Sequence, residues 1–82
     1  MARGNKLHVR LTRHAIRRWQ MRVDEELNPN ALQDRVRRRL TAQLRRGAQM
    51  NGAGALEIEV IPGVLAVCVP SAQGGWTVVT IV

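Results

Sequence analysis

Leu32, Val36, Leu40 and Leu44 recur at every fourth position, and then the spacing of apolar residues changes: Leu56, Ile58 and Val60 occupy alternate positions. No single element satisfies both periods. A four-residue repeat lines up side chains along one face of a helix, whereas a two-residue alternation lines them up on one face of a strand. The chain is thereby constrained to helices first and strands afterwards, an α+β arrangement. At 82 residues there is material for one hydrophobic core, so residues 1–82 are read as a single compact domain.

The boundaries follow from the punctuation. After a basic lead-in over residues 1–10, Thr12 is placed to cap a first helix running to about Leu27, with Ala15, Ile16, Trp19 and Val23 as its core stripe. Asn28-Pro29 then breaks the chain and starts a second helix, Asn28 as N-cap and Pro29 at the first helical position. That helix continues to about Arg46 and closes at Gly47. Three strands follow: "ALEIEVI", half-buried, with Glu57 and Glu59 on the face opposite the core; "VLAVCV", apolar on both faces as a central strand is; and "WTVVTIV". Pro62-Gly63 and "SAQGG" supply the turns between them. The predicted fold is two N-terminal helices packed on a three-stranded antiparallel meander, in the order ααβββ.

Charge is distributed along the chain as unevenly as periodicity. All 13 cations, 12 of them Arg, lie at or before Arg46; residues 1–46 carry +9 and the remainder −2. Arginine presents a planar fork of donors that matches phosphate oxygens in pairs, so a nucleic acid is the partner this distribution favours. On the second helix Arg35, Arg38, Arg39, Arg45 and Arg46 fall away from the apolar seam, and on the first Arg13 and Arg17 stand with them as nucleic-acid-binding candidates.

Other classes find less support. The lone Cys68 sits in an apolar run and cannot form an internal disulfide, and it is expected to be buried and inert. His8, His14 and Cys68 lack metal-ligand spacing, so neither a metal nor another cofactor is expected. No stretch reads as a secretory signal or approaches the roughly 20 apolar residues of a membrane span, which places the protein in the cytoplasm with no membrane partner. With no Phe or Tyr, and only Trp19 and Trp76 as aromatics, base-stacking platforms are expected to be scarce.

The first helix also breaks a local rule. Helix dipoles favour acids in the first turn and bases in the last, yet this helix opens on Arg13, Arg17 and Arg18 and closes on Asp24, Glu25 and Glu26. An anion bound at the helix start would offset that arrangement; pairing of Arg22 with Glu25 or Glu26 would equally account for it. His14 stands at the second helical position, close to the helix start and to several arginines. His14, Arg18 and Arg22 are spaced i, i+4, i+8 and form a strip beside the core stripe.

The run Thr12-Arg13-His14-Ala15-Ile16-Arg17-Arg18-Trp19-Gln20-Met21-Arg22 resembles the T-x-H-A-x-x-R-x-x-x-R opening of small domains related to the RelE and BrnT ribonuclease toxins, and the two helices, meander and final "VVTIV" extend the likeness over most of the chain. The resemblance implies a compact α+β fold and, for active members, RNA cleavage without a metal. His14, Arg18 and Arg22 match the motif, and Thr80 occupies the polar place in the last strand. By that likeness His14 would take the 2′-hydroxyl proton as general base, and Arg18 and Arg22 would stabilise charge on the phosphate. Glu57 or Glu59 would be the alternative base if their face met the arginine strip. One departure is Val23, which follows Arg22 where those domains commonly place a glycine.

Two readings therefore stand. In one the chain is a toxin-like, metal-independent endoribonuclease acting on RNA and neutralised by an acidic antitoxin. In the other it is a non-catalytic, arginine-rich module of phage or mobile-element type that grips nucleic acid or an acidic protein partner. Sheet edges leave a homodimer open in either case.

Overall fold

The computed structural model describes residues 7–23 and 28–82. Its elements are β1 (Val9–Leu11), α1 (Arg13–Val23), α2 (Pro29–Arg45), β2 (Leu56–Ile61), β3 (Val64–Pro70) and β4 (Trp76–Ile81). The class is α+β with two helices, and the sheet corrects the expected three-stranded meander: it has four strands in the order β1-β4-β3-β2. β2, β3 and β4 pair antiparallel as a meander, whereas β1 runs parallel to β4, with Val9 opposite Trp76 and Leu11 opposite Val78. The basic lead-in therefore contains a strand. Its signal is the alternation Leu7-His8-Val9-Arg10-Leu11, too short to stand out but enough to bury Val9 and half-bury Leu7 and Leu11 while Arg10 stays exposed.

Both helices pack on one face of this sheet. Ala15 and Trp19 from α1, and Leu32, Val36 and Leu40 from α2, join Val9, Leu56, Ile58, Val60, Val64, Ala66, Cys68, Val78 and Ile81 in one core. The four-residue seam of α2 is thus the buried face, with Leu44 half-buried at its end. The alternation of β2 is as expected, its three apolar residues buried and Glu57 and Glu59 exposed. β3 is central, yet only Val64, Ala66 and Cys68 are fully buried; Leu65, Val67 and Val69 lie half-exposed on the face the helices leave open.

The helix ends are built from short-range hydrogen bonds. Asn28 Oδ1 accepts from the N–H groups of Asn30 (2.8 Å) and Ala31 (3.2 Å), which caps α2 with Pro29 following. At the other end Gly47, at φ +81°, lets its N–H reach Leu44 O (3.0 Å) and that of Ala48 reach Gln43 O (3.0 Å), a Schellman closure with Arg46 as C-cap. The expected continuation of α1 to Leu27, with the acidic end Asp24, Glu25 and Glu26, lies outside the described residues. Among those described, no helix is long and apolar enough to cross a membrane.

Candidate nucleic-acid interface

The position of α1 follows from the shortness of β1. With only three residues in β1, the far half of β4 has no strand neighbour on that side, and its carbonyls need other donors. The helix supplies them. Thr12 N–H donates to Val78 O (3.1 Å), the Thr12 hydroxyl to Val79 O (3.1 Å) and Arg18 Nε to Ile81 O (3.4 Å). The same hydroxyl accepts from Ala15 N–H (3.0 Å), so Thr12 also caps the helix. One turn beyond Arg18, Arg22 donates to the carbonyl of Gly63 (3.0 Å) in the β2–β3 turn, and Glu59 Oε2 accepts from the N–H of that glycine (3.1 Å).

These contacts divide the strip His14, Arg18, Arg22. His14 is exposed. Arg18 is half-buried along the β4 edge, and Arg22, although exposed, is tethered to a turn. Both arginines thus hold main-chain carbonyls, each through one of the guanidinium's five N–H donors, which leaves further donors for a ligand. Glu59 serves the β2–β3 turn, and Glu57 is exposed on the outer strand β2. Thr80 is half-buried on β4, opposite Val67 of β3.

The remaining candidates separate into three groups. Arg35 is half-buried, its guanidinium carbon 5.9 Å from the centroid of the Trp19 ring, so it packs as a cation over an aromatic face rather than standing wholly in solvent. Trp19 is 1% exposed and its Nε1 has no hydrogen-bond partner in the described structure. Arg38 pairs with Asp34 at 2.8 Å, and Arg37, which the sequence reading did not single out, bonds the other oxygen of that carboxylate. Arg13, Arg17, Arg39, Arg45 and Arg46 are exposed and pair with no acid among the described residues.

Cys68 is fully buried, and that burial pushes its thiol up to about 12. Among the described residues no three metal-ligating side chains come together.

A concavity the sequence did not announce lies where β1 meets the β3–β4 turn. It is an open groove of about 1070 Å³ whose walls include His8, Arg10, Gln33 and Trp76. Gln33 Nε2 donates to the carbonyl of Val9 and fixes the start of α2 against β1. Across the open face of the sheet, Arg10 is aligned with Thr77 and Val69, while Glu57 and Glu59 lie on the opposite edge strand. Arg10 thus stands on the face of the sheet opposite the helices and their arginines. No family model, curated protein or solved structure matches this chain.

Proposed function

We propose that this is a small nucleic-acid-binding protein, directed to RNA, that grips phosphates through arginines on the outward faces of its two helices. The observation that carries the reading is the set Arg13, Arg17, Arg39, Arg45 and Arg46, exposed on rigid helices or their caps and without acidic partners among the described residues. Each unpaired guanidinium offers a bidentate phosphate contact, and each phosphate neutralised releases condensed counterions. Binding to a structured RNA should therefore weaken steeply with salt. Replacing Arg39, Arg45 and Arg46 together by Gln is expected to flatten the slope of log K against log salt by roughly 2 to 3, about 0.7 to 0.9 per lost phosphate contact. An unchanged slope in that variant sinks the reading.

A second reading is favoured by the exposure of His14 one turn before Arg18. Here the protein is a toxin-like endoribonuclease, as the likeness of its opening motif to RelE and BrnT domains implies, with His14 as general base and the spare donors of Arg18 and Arg22 on the scissile phosphate. The chemistry needs no metal. Incubating wild type and His14→Ala with a structured RNA in EDTA, scored for both cleavage and gel retention, separates the two readings. Cleavage by wild type alone, with equal retention, establishes the enzyme. Retention without cleavage leaves a binding module, and absence of both directs attention to an acidic protein partner such as an antitoxin.

A further inference from the structure

β3 is apolar on both sides, and the helices cover only one of them. Leu65, Val67 and Val69 stand at alternate positions on the face left open, each half-exposed, and among the described residues no further element remains to pack over them. The register sets Thr80 beside Val67 and Thr77 beside Val69. An antiparallel sheet with one face in water ordinarily turns polar residues outward, so three aliphatic side chains in the middle of that face mark a surface that has a partner.

The charges around this apolar centre are sorted by edge. Arg10, exposed on β1, is aligned with Thr77 and Val69, whereas Glu57, exposed on β2, is aligned with Val67. β1 and β2 are the outer strands, so a cation borders one side and an acid the other. Glu59, on the acidic border, already accepts from Gly63 N–H. Within one chain Arg10 and Glu57 are three strand spacings apart, about 14 Å, and cannot pair. Along the strands they differ by only two residues, Val69 to Val67, or about 7 Å, which an extended arginine side chain spans.

We propose that this face binds the same face of a second copy of the chain, in a dimer whose two-fold axis runs along the strands between β3 and β4. That axis reverses the strand order, laying β1 of one copy over β2 of the other and β4 over β3. Arg10 of each copy then meets Glu57 of the other, twice by symmetry, while Leu65, Val67 and Val69 pack against Thr77 and Thr80 of the other copy. An axis across the strands would set Arg10 on Arg10 and acid on acid, so the charges select one orientation of the two. A partner of single charge sign meets a like charge at one border; a second copy carries both signs in the complementary order.

The two sheets pack aligned, about 10 Å apart, with the helices outermost. Four strands about 4.8 Å apart and six residues of about 3.3 Å give a footprint on the order of 400 Å² per copy, the size of a weak and reversible association. Because the helical arginines stay outward, the dimer neither uses nor blocks the surface proposed for nucleic acid, and its test stands apart from that reading.

Sedimentation equilibrium of the full chain, freed of nucleic acid, over roughly 5 to 500 μM tests the association. The apparent mass is expected to rise with concentration from that of one chain towards that of two. Arg10→Glu and Glu57→Arg should each weaken the dimer by roughly 10- to 100-fold, since the two-fold axis repeats every like-charge contact. Mixed in equal amounts, the two variants should recover it as a heterodimer, in which one contact joins the two substituted positions and the other is native. Val67→Lys, at the centre of the face, should leave a folded monomer by circular dichroism; if it fails to fold, the exposed positions Arg10 and Glu57 carry the test. A wild type that stays monomeric throughout overturns the proposal. So does a dimer that neither charge variant weakens, or that mixing fails to restore, because it then joins through a sheet edge or the helices.

Discussion

Gly75 lies so close to the backbone of His8 that a Cβ built on it would stand 2.5 Å from the His8 carbonyl oxygen and 2.7 Å from the His8 Cβ. The next residue makes use of that approach: Trp76 N–H donates to the same carbonyl at 2.8 Å, the first bond joining β1 to β4. With φ at +75°, Gly75 is also in the left-handed region. The attachment of β1, and with it one wall of the groove, thus depends on a residue without a side chain.

Gly75→Ala is accordingly expected to destabilise the protein by about 2–4 kcal/mol, combining left-handed strain with a backbone collision. Gly47→Ala is the control, since Gly47 shares the positive φ but has nothing within 4 Å of its would-be Cβ. It should cost only about 1 kcal/mol. Urea denaturation compares the two, and equal losses would remove the close approach as a cause.

Arg35 and Arg39 are four residues apart on one helix and should behave oppositely. Arg35→Ala removes a guanidinium over Trp19 together with its packed stem, for a loss of about 1 kcal/mol in stability. Arg39→Ala, at an exposed position, should lie within about 0.5 kcal/mol of wild type and instead weaken RNA binding. Thermal melts and binding isotherms on the same two variants decide the matter.

Asn28→Ala removes the acceptor for two N–H groups at the start of α2. A loss of about 1 kcal/mol is expected, with Asn28→Asp nearly neutral because a carboxylate accepts the same bonds. Chemical denaturation of the pair distinguishes capping from any other role of the asparagine.

Cys68 sets a pH dependence. Its thiol ionises near 9.0 in an unfolded chain but is pushed up to about 12 by burial. Above pH 9 the unfolded chain releases a proton that the folded one retains, so the contribution to stability is complete below pH 9 and is lost as pH rises towards 12. The fall should be on the order of 1 kcal/mol per pH unit, and Cys68→Ala should abolish that part of the slope. A thiol reagent at pH 8 should likewise react slowly with the native protein and fast after unfolding.

Where a residue's neighbours in sequence are also its neighbours in space, the chain by itself determined the outcome. The α2 seam, the Asn28-Pro29 start, the Gly47 closure and the alternation of β2 all arise from helical or strand periodicity and from hydrogen bonds spanning at most a few residues, so they were legible before any fold was known. So was the arginine-rich character of both helices. What the tertiary structure alone decided came from pairings over long sequence separations. A five-residue alternation at Leu7–Leu11 becomes a strand only because Gly75 and Trp76 receive it, 67 positions away from His8 to Gly75. The strip His14, Arg18, Arg22 lies along one helix, but two of its members turn out to hold carbonyls: Arg18 that of Ile81, because a three-residue β1 leaves the end of β4 without a partner, and Arg22 that of Gly63 in the β2–β3 turn. Arg35, equivalent to Arg39 by spacing, is drawn over Trp19 by the packing of α2 beside α1. Local periodicity specifies which face of an element is apolar; only the packed sheet specifies which carbonyls are left for an arginine to satisfy and which arginines remain for a phosphate.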